Sequence, residues 1–123
     1  MVRAFDRTPP LPPTISKLEW VRIRTSDGAV FPYNDPIPAG EERLPGVRVT
    51  WISPDPQLAC MVQYRLPPDT SFTNASGWLA RGVYQLVHRN DFGFQAQEYR
   101  IKVLNQAGNA NVTYNVATLP AAS

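Results

Sequence analysis

Apolar and polar residues alternate with period two along much of the chain. The spacing is clear in residues 47–51, 60–66 and 98–103. Successive side chains of a strand point to opposite faces, so this pattern predicts strands that each bury one face. Apolar residues with helical spacing are not found along the chain. The pattern therefore predicts an all-β fold.

Turn residues separate the predicted strands at short intervals. Clusters of Pro, Gly, Asn and Asp occur at residues 53–56, 67–69 and 105–109. Further short strands are predicted at 78–80, 83–87 and 112–116 by their apolar and β-branched residues. About seven short antiparallel strands at this spacing are typical of a β-sandwich.

Residues 15–25 form a predicted strand whose apolar residues fall on both faces. Leu18 and Trp20 share one face, whereas Val21 and Ile23 share the other. A β-bulge near Trp20–Val21 would bring all four to one side. A strand that switches sheets midway is the alternative.

The N-terminal third is rich in proline and turn signals. Residues 26–46 are too long for a plain hairpin loop, so a short edge strand is predicted around residues 29–31. The run Pro9-Pro10-Leu11-Pro12-Pro13 favours a polyproline conformation. The predicted organisation is an extended Pro-rich N-terminal arm (residues 1–14) followed by a single β-sandwich domain (residues 15–123).

The composition of the chain limits the classes of protein to which it can belong. The 123 residues are 43% apolar and 18% charged, which is typical of one globular domain with a single core. No segment approaches the roughly 20 apolar residues that cross a bilayer, so membrane insertion is not expected. The start of the chain has no apolar signal-peptide core, so we expect the protein either to stay in the cytoplasm where it is made or to leave by another route, such as cell lysis. The net charge of +2 is too small to predict nucleic-acid binding.

Arginine supplies most of the positive charge. Ten of the twelve cations are Arg. Arginine is favoured at protein interfaces because its planar fork makes bidentate contacts. A genome of high GC content gives the same excess, and both explanations stay open.

Several segments together resemble a fibronectin type III domain, within the wider immunoglobulin-like class. They are Val-Thr-Trp51 followed by Ser-Pro-Asp-Pro, then Val-Gln-Tyr-Arg65, then Trp78, then Tyr99-Arg-Ile-Lys-Val-Leu-Asn105-Gln-Ala-Gly108. The resemblance implies that Trp51 packs in the core and that Tyr99 makes the corner hydrogen bond of such sandwiches. The predicted core and fold residues are Trp51, Tyr64, Tyr99 and Val103.

The N-terminal third departs from that family. The family joins its first two strands by a short link, whereas about twenty residues intervene here. The departure indicates an elaborated edge of the sandwich.

Residues that carry chemistry are few. His88 is the only histidine and lies just past an apolar strand, so it is interpreted as a polar residue at a strand end. Cys60 alternates with Val62 and Tyr64 and is interpreted as a small buried hydrophobe. A solvated loop, and not a Ca²⁺ site, is predicted for the acids without calcium-loop spacing, which are Asp27, Asp35, Glu41 and Glu42. We therefore predict no catalytic, cofactor-binding or metal-binding residue, and we expect a non-enzymatic protein.

Two functions follow as expectations. The first is a structural component of a bacteriophage virion (head decoration, tail or fibre accessory), because solitary sandwiches made without a secretion signal resemble that group. The partners are then other virion proteins in many copies, bound through the arm and the sandwich edges. The predicted anchors in the arm are Arg3, Phe5, Arg7 and Leu11.

The alternative is a free-standing module that binds a carbohydrate or a cell-surface ligand. Its loops would be residues 26–46 and 67–77, and weak glycan binding is compatible with a virion role as well. The aromatic candidates for that loop site are Phe31, Tyr33 and Phe72.

Overall fold

The computed structural model describes residues 13–53, 59–90, 93–103 and 115–122. Within these ranges the elements are eight strands and no helix, which confirms the predicted all-β class. Accordingly, no helix in those ranges is long and apolar enough to cross a membrane. The strands are β1 (Thr14–Arg24), β2 (Val30–Pro32), β3 (Arg43–Ile52), β4 (Cys60–Arg65), β5 (Thr73–Asn74), β6 (Gln85–Arg89), β7 (Gln97–Val103) and β8 (Val116–Leu119).

The strands form two antiparallel sheets of four. One sheet has the order β2-β1-β3-β6 and the other has the order β5-β4-β7-β8. A single cluster of buried residues draws on both sheets, so the architecture is that of a β-sandwich. The cluster comprises Val47, Val49, Trp51, Cys60, Val62, Tyr99, Ile101, Val103 and Leu119.

The alternation predicted for β3 and β7 is confirmed, whereas β4 is buried on both faces from Cys60 to Gln63. Trp51, Tyr99 and Val103 are at most 2% exposed, and Tyr64 is partly buried against the same cluster. Removing these side chains from water is the main favourable contribution to folding at this size. All four predicted core residues therefore contribute to the interior.

The irregularity in β1 lies elsewhere than predicted. A bulge near Trp20–Val21 is wrong, because the pairing of β1 with β3 shifts between Ile15 and Lys17. The hydroxyl of Ser16 donates to the carbonyl of Thr50 at 3.2 Å beside that shift. The shift turns Ile15 to the same side as Leu18 and Trp20, and all three pack on the core.

Val21 and Ile23 consequently lie on the opposite face of β1. Val21 pairs with Gly46 of β3 and is only 1% exposed. A Cβ atom at Gly46 would lie 2.7 Å from Cδ1 of Ile23 and 3.2 Å from Cγ2 of Val21. The absence of a side chain at position 46 thus lets these two apolar side chains pack over β3.

The ends of several other strands differ from those predicted. The edge strand predicted near residues 29–31 is confirmed as β2. The strand predicted at 78–80 is reduced to one bridge, in which the N–H of Leu79 donates to the carbonyl of Cys60 at 2.8 Å. The strand predicted at 83–87 runs from Gln85 to Arg89, so His88 lies inside a strand and not past its end.

Four predicted features fall partly or wholly outside the described residues. They are residues 1–12 of the arm, which include Arg3, Phe5, Arg7 and Leu11, most of the turn at 53–56, the turn at 105–109, and residues 112–114 of the strand predicted at 112–116. Pro13, where the description begins, is fully buried, and its carbonyl accepts from Nδ2 of Asn115 at 3.3 Å.

Gly46→Ala is expected to destabilise the protein by about 1–3 kcal/mol, because the added methyl group overpacks against Ile23 and Val21. The measurement is the midpoint of urea unfolding. Gly77→Ala is the matched control, since nothing lies within 4 Å of its added Cβ, and it should change stability by less than about 0.5 kcal/mol. Equal midpoints for the two variants would contradict the packing described for position 46.

Candidate functional site

Arginine side chains lie over aromatic rings throughout the described chain. Six such contacts occur, against about one per 70–80 residues in proteins generally. Each aromatic residue predicted for a ligand loop takes part in at least one: Phe31, Tyr33 and Phe72. Contacts between guanidinium groups and aromatic rings are therefore the main interactions that fix the positions of these candidate side chains.

The first group lies where β1, β2 and β3 meet beyond the core. Phe31 of β2 pairs with Arg22, and Arg24 pairs with Arg43 of β3, so all four side chains lie on the core-facing side of the sheet. The guanidinium carbons of Arg24 and Arg43 lie 4.8 and 3.8 Å from the centre of the Phe31 ring. Both arginines come to one ring because antiparallel register places them directly opposite each other.

Three carboxylates neutralise these two arginines. Arg24 donates from Nε and Nη2 to the two carboxylate oxygens of Asp27, both at 2.9 Å, and from Nη1 to Glu41 at 3.1 Å. Arg43 donates to Glu41 and to Asp35. We call Asp27–Arg24–Glu41–Arg43–Asp35 the charge chain. Its Arg43 side chain is only 3% exposed, so the loop between β1 and β3 is tied to the sheet.

The charge chain shifts the acidity of its carboxyl groups. Hydrogen bonds from Arg24, and then from the N–H of Ala29, lower the pKa of Asp27 to about 2. Hydrogen bonds from Arg43 and Arg24 lower the pKa of Glu41 against an opposing effect of desolvation. Three of the acids considered for Ca²⁺ are thus paired with arginines, and no group of three or more His, Cys, Asp or Glu within the described ranges is arranged to hold a metal ion.

The second group joins the two sheets at the same end of the molecule. Arg22 lies over the rings of Tyr33 and Phe94 at 4.7 and 4.8 Å, and Trp20 meets Phe94 edge to face at 5.2 Å. The indole N–H of Trp20 donates to the carbonyl of Pro120 at 2.8 Å, which holds the segment after β8 against β1. A shallow open cleft of about 320 Å³ lies beside this group, lined by Trp20, Tyr33, Asn34, Leu119, Pro120, Ala121 and Ala122.

The third group lies on the outer face of the other sheet. Arg65 of β4 and Arg100 of β7 place their guanidinium carbons 4.4 and 4.1 Å from the centre of the Phe72 ring. Arg65 also donates to Glu98 at 2.8 Å, and Arg100 donates to Oε1 of Gln63 at 2.8 Å. We call the surface formed by Arg65, Phe72 and Arg100 the Phe72 face.

A polar cluster lies inside the sandwich. The hydroxyl of Tyr99 donates to Oε1 of Gln97 at 2.8 Å and lies 2.8 Å from Nδ1 of His88. Since the hydroxyl has a single hydrogen, His88 donates from Nδ1. The bonds of Tyr99 thus go to two side chains, and not to the backbone corner that the family resemblance implied. Burial, together with nearby Tyr64, raises the pKa of Tyr99 well above its usual range.

Cys60 lies apart from this cluster. It is buried at the start of β4, four residues before Tyr64, a separation of about 13 Å along a strand. His88, on β6 of the opposite sheet, packs against Tyr64 at 4.5 Å between ring centres, so the thiol and the imidazole lie toward different ends of β4. Burial raises the pKa of the Cys60 thiol, which opposes its use as a nucleophile.

Comparison with known proteins found no matching family model, no matching curated protein and no matching solved structure.

Sequence reasoning selected the aromatic residues but missed their arginine partners. Arg24 and Arg43 are nineteen positions apart, and Arg65 and Arg100 are thirty-five apart, so only strand pairing brings each pair together. The signal in the sequence that could have indicated these partners is the excess of Arg over Lys. Half of the ten arginines lie over aromatic rings: Arg22, Arg24, Arg43, Arg65 and Arg100.

Asp27 is expected to titrate with a midpoint of about 2 in the folded protein. Its folded pKa lies below the unfolded value of about 3.9, so its contribution to stability is present above about pH 4 and is lost as the pH falls toward 2. The measurement is a carbon NMR titration of the side-chain carboxyl group. Arg24→Lys should raise the midpoint because lysine lacks the bidentate fork. Arg81→Lys, on an exposed turn, is the control and should leave it unchanged.

Tyr99→Phe is expected to cost about 1–3 kcal/mol of stability, since it leaves Gln97 without a donor and His88 without an acceptor inside the sandwich. Thermal or urea unfolding measures the loss. Tyr84→Phe removes the same hydroxyl group from a tyrosine that is only partly buried and whose hydroxyl makes no hydrogen bond within the described ranges, and it should be nearly neutral. A loss of the same size in both variants would argue against a stabilising role for the polar cluster.

Proposed function

We propose that this chain is a non-catalytic interaction protein and serves as a structural component of a bacteriophage virion, as a head decoration, tail or fibre accessory protein. In this role it is made in the host cytoplasm and is bound to other virion proteins in many copies. It docks through its N-terminal arm and the free edges of its sheets. No cofactor takes part.

The stacking of arginines on the surface aromatic residues is the observation that carries the interaction role. It holds Phe31, Tyr33 and Phe72 in fixed positions, so the surface is ordered before any partner arrives. Preformed surfaces of this kind bind with a smaller loss of side-chain freedom. Arginine and aromatic residues are also the types enriched where proteins contact one another.

A fibronectin type III or immunoglobulin-like topology is the finer fold that we propose. If β2 is treated as an added edge strand, seven strands remain, with Trp51 on the second and Tyr99 on the sixth, as the resemblance requires. Strands β1-β3-β6 and β4-β7-β8 then correspond to the A-B-E and C-F-G strands of such sandwiches. The short strand β5 pairs with β4, on the C-F-G side.

The virion role draws its support from the combination of this sandwich with the arm. The arm carries arginines and Phe5 next to a proline-rich run. Prolines limit the freedom of the chain before docking, so less entropy is lost when the arm lies on a neighbouring subunit. Many copies related by symmetry gain avidity from weak single contacts.

The carbohydrate-binding alternative has less support. A sugar stacks on an open ring face, and one or two guanidinium groups already lie over each candidate ring. A glycan array would favour the alternative if the chain bound a sugar and if Phe72→Ala or Tyr33→Ala abolished that binding.

Incorporation into particles tests the proposal. We expect antibodies against the chain to detect it in virions purified from cells that carry its gene, and we expect capsid, portal or tail genes beside that gene. A full-length variant with Arg3, Phe5, Arg7 and Leu11 changed to Ala should melt at the same temperature yet be missing from the particles. Lys17→Ala with Arg81→Ala, which also removes two cations, should be incorporated normally. Absence of the wild-type chain from particles, or normal incorporation of the arm variant, would overturn the proposal.

A further inference from the structure

Two phenylalanines each lie under two guanidinium groups, but the charges around them differ. At Phe31, the two arginines are matched by the three carboxylates of the charge chain. At Phe72, Arg65 and Arg100 meet on the outer face of β4 and β7. The strand register places a single carboxylate, Glu98, on that face.

A third cation lies on the same face. Lys102 lies two residues after Arg100 on β7, so its side chain points to the same face of the sheet. Lys102 pairs with Met61 of β4, and Arg100 pairs with Gln63. Three cations and one acid are therefore the ionisable residues on the outer face of the described strands β4, β5, β7 and β8. Like charges a few ångströms apart repel each other, and an arriving anion relieves that repulsion. Charge complementarity selects an acidic partner.

Buried and paired groups hold the two arginines in place. Gln63 is 7% exposed; its Oε1 accepts from Nε of Arg100 and its Nε2 donates to Oδ1 of Asn74, both at 2.8 Å. Arg65 donates to Glu98 and, from Nη1, to the carbonyl of Thr70 at 3.1 Å. Guanidinium groups fixed in this way lose less freedom when a carboxylate binds to them.

An apolar position lies next to these charges. Val116 of the edge strand β8 pairs with Arg100 and is 45% exposed. Thr118 follows it on the same face, beside Glu98. An extended segment with acidic residues at alternate positions directs its carboxylates to this face, and one apolar residue in that series would lie over Val116.

We propose that the Phe72 face, with Lys102 and Val116 beside it, docks an extended acidic segment of a partner protein. The carboxylates of that segment contact Arg65, Arg100 and Lys102, and an apolar side chain directed to the same side covers Val116. This inference rests on the proposed interaction role and names the chemistry of one partner.

Fluorescence anisotropy with a labelled synthetic peptide of alternating Glu and Val tests the inference on the full-length chain. We expect binding that weakens as salt is added, and no binding of the peptide in which Gln replaces Glu. Lys102→Gln should weaken binding about threefold, and Arg100→Gln with Lys102→Gln about tenfold or more. Lys102 makes no ion pair within the described ranges, so its variant probes charge without loss of a fold contact.

Arg48→Gln is the matched control, because it removes one cation from the outer face of the opposite sheet. It should change the affinity less than about twofold. The inference is overturned if Arg48→Gln weakens binding as much as Lys102→Gln, or if the Gln peptide binds as well as the Glu peptide. Self-association that Lys102→Gln abolishes, seen by sedimentation, would identify a second copy as the occupant and overturn the choice of partner.

The same experiments separate this inference from the proposed function. If the Glu–Val peptide does not bind but the arm variant is still lost from particles, the inference alone is wrong. If the peptide binds as expected although the chain is absent from particles, the virion role alone is wrong.

Discussion

Burial of the inner faces of β3 and β7 against each other is the interaction on which the rest of the structure depends. Trp51 and Tyr99 supply the largest fully buried side chains, and each comes from a different sheet. Once water is excluded from this interior, a polar group that lacks a partner in the protein raises the free energy of the folded state. The hydroxyl of Tyr99 finds such partners in His88 and Gln97, which ties β6 to β7 across the two sheets.

The end of the sandwich beyond this core is closed by a different chemistry. Arginine guanidinium groups lie over the rings of Phe31, Tyr33 and Phe94 there. A guanidinium plane covers an apolar ring while its edge still donates hydrogen bonds. The same side chains therefore seal the rings and anchor the carboxylates of the loop between β1 and β3. A long polar loop becomes a fixed part of the surface.

Phe31 and Phe72 each lie near two guanidinium groups, but the charged residues around the two rings differ. Around Phe31 the acids outnumber the arginines, so the local charge is already neutralised within the chain. On the outer faces of strands β4 and β7, Arg65, Arg100 and Lys102 lie with one carboxylate, that of Glu98. The first arrangement stabilises a loop, whereas the second is the surface that we propose to dock an acidic segment.

The alternation of residues along the chain determined the fold class and most of the core. Trp51, Tyr64, Tyr99 and Val103 could be placed because the side-chain period of a strand is local and visible in the sequence. The position of the register shift in β1 could not be predicted from the sequence, because both faces of that strand bury apolar side chains. One face packs on the core, and the other packs over Gly46. Aromatic residues such as Phe72 were likewise visible, but their partners were not. The approach of Arg65 and Arg100 to one ring depends on the register between distant strands, and that register is set by burial of the apolar face of each strand and by turn geometry.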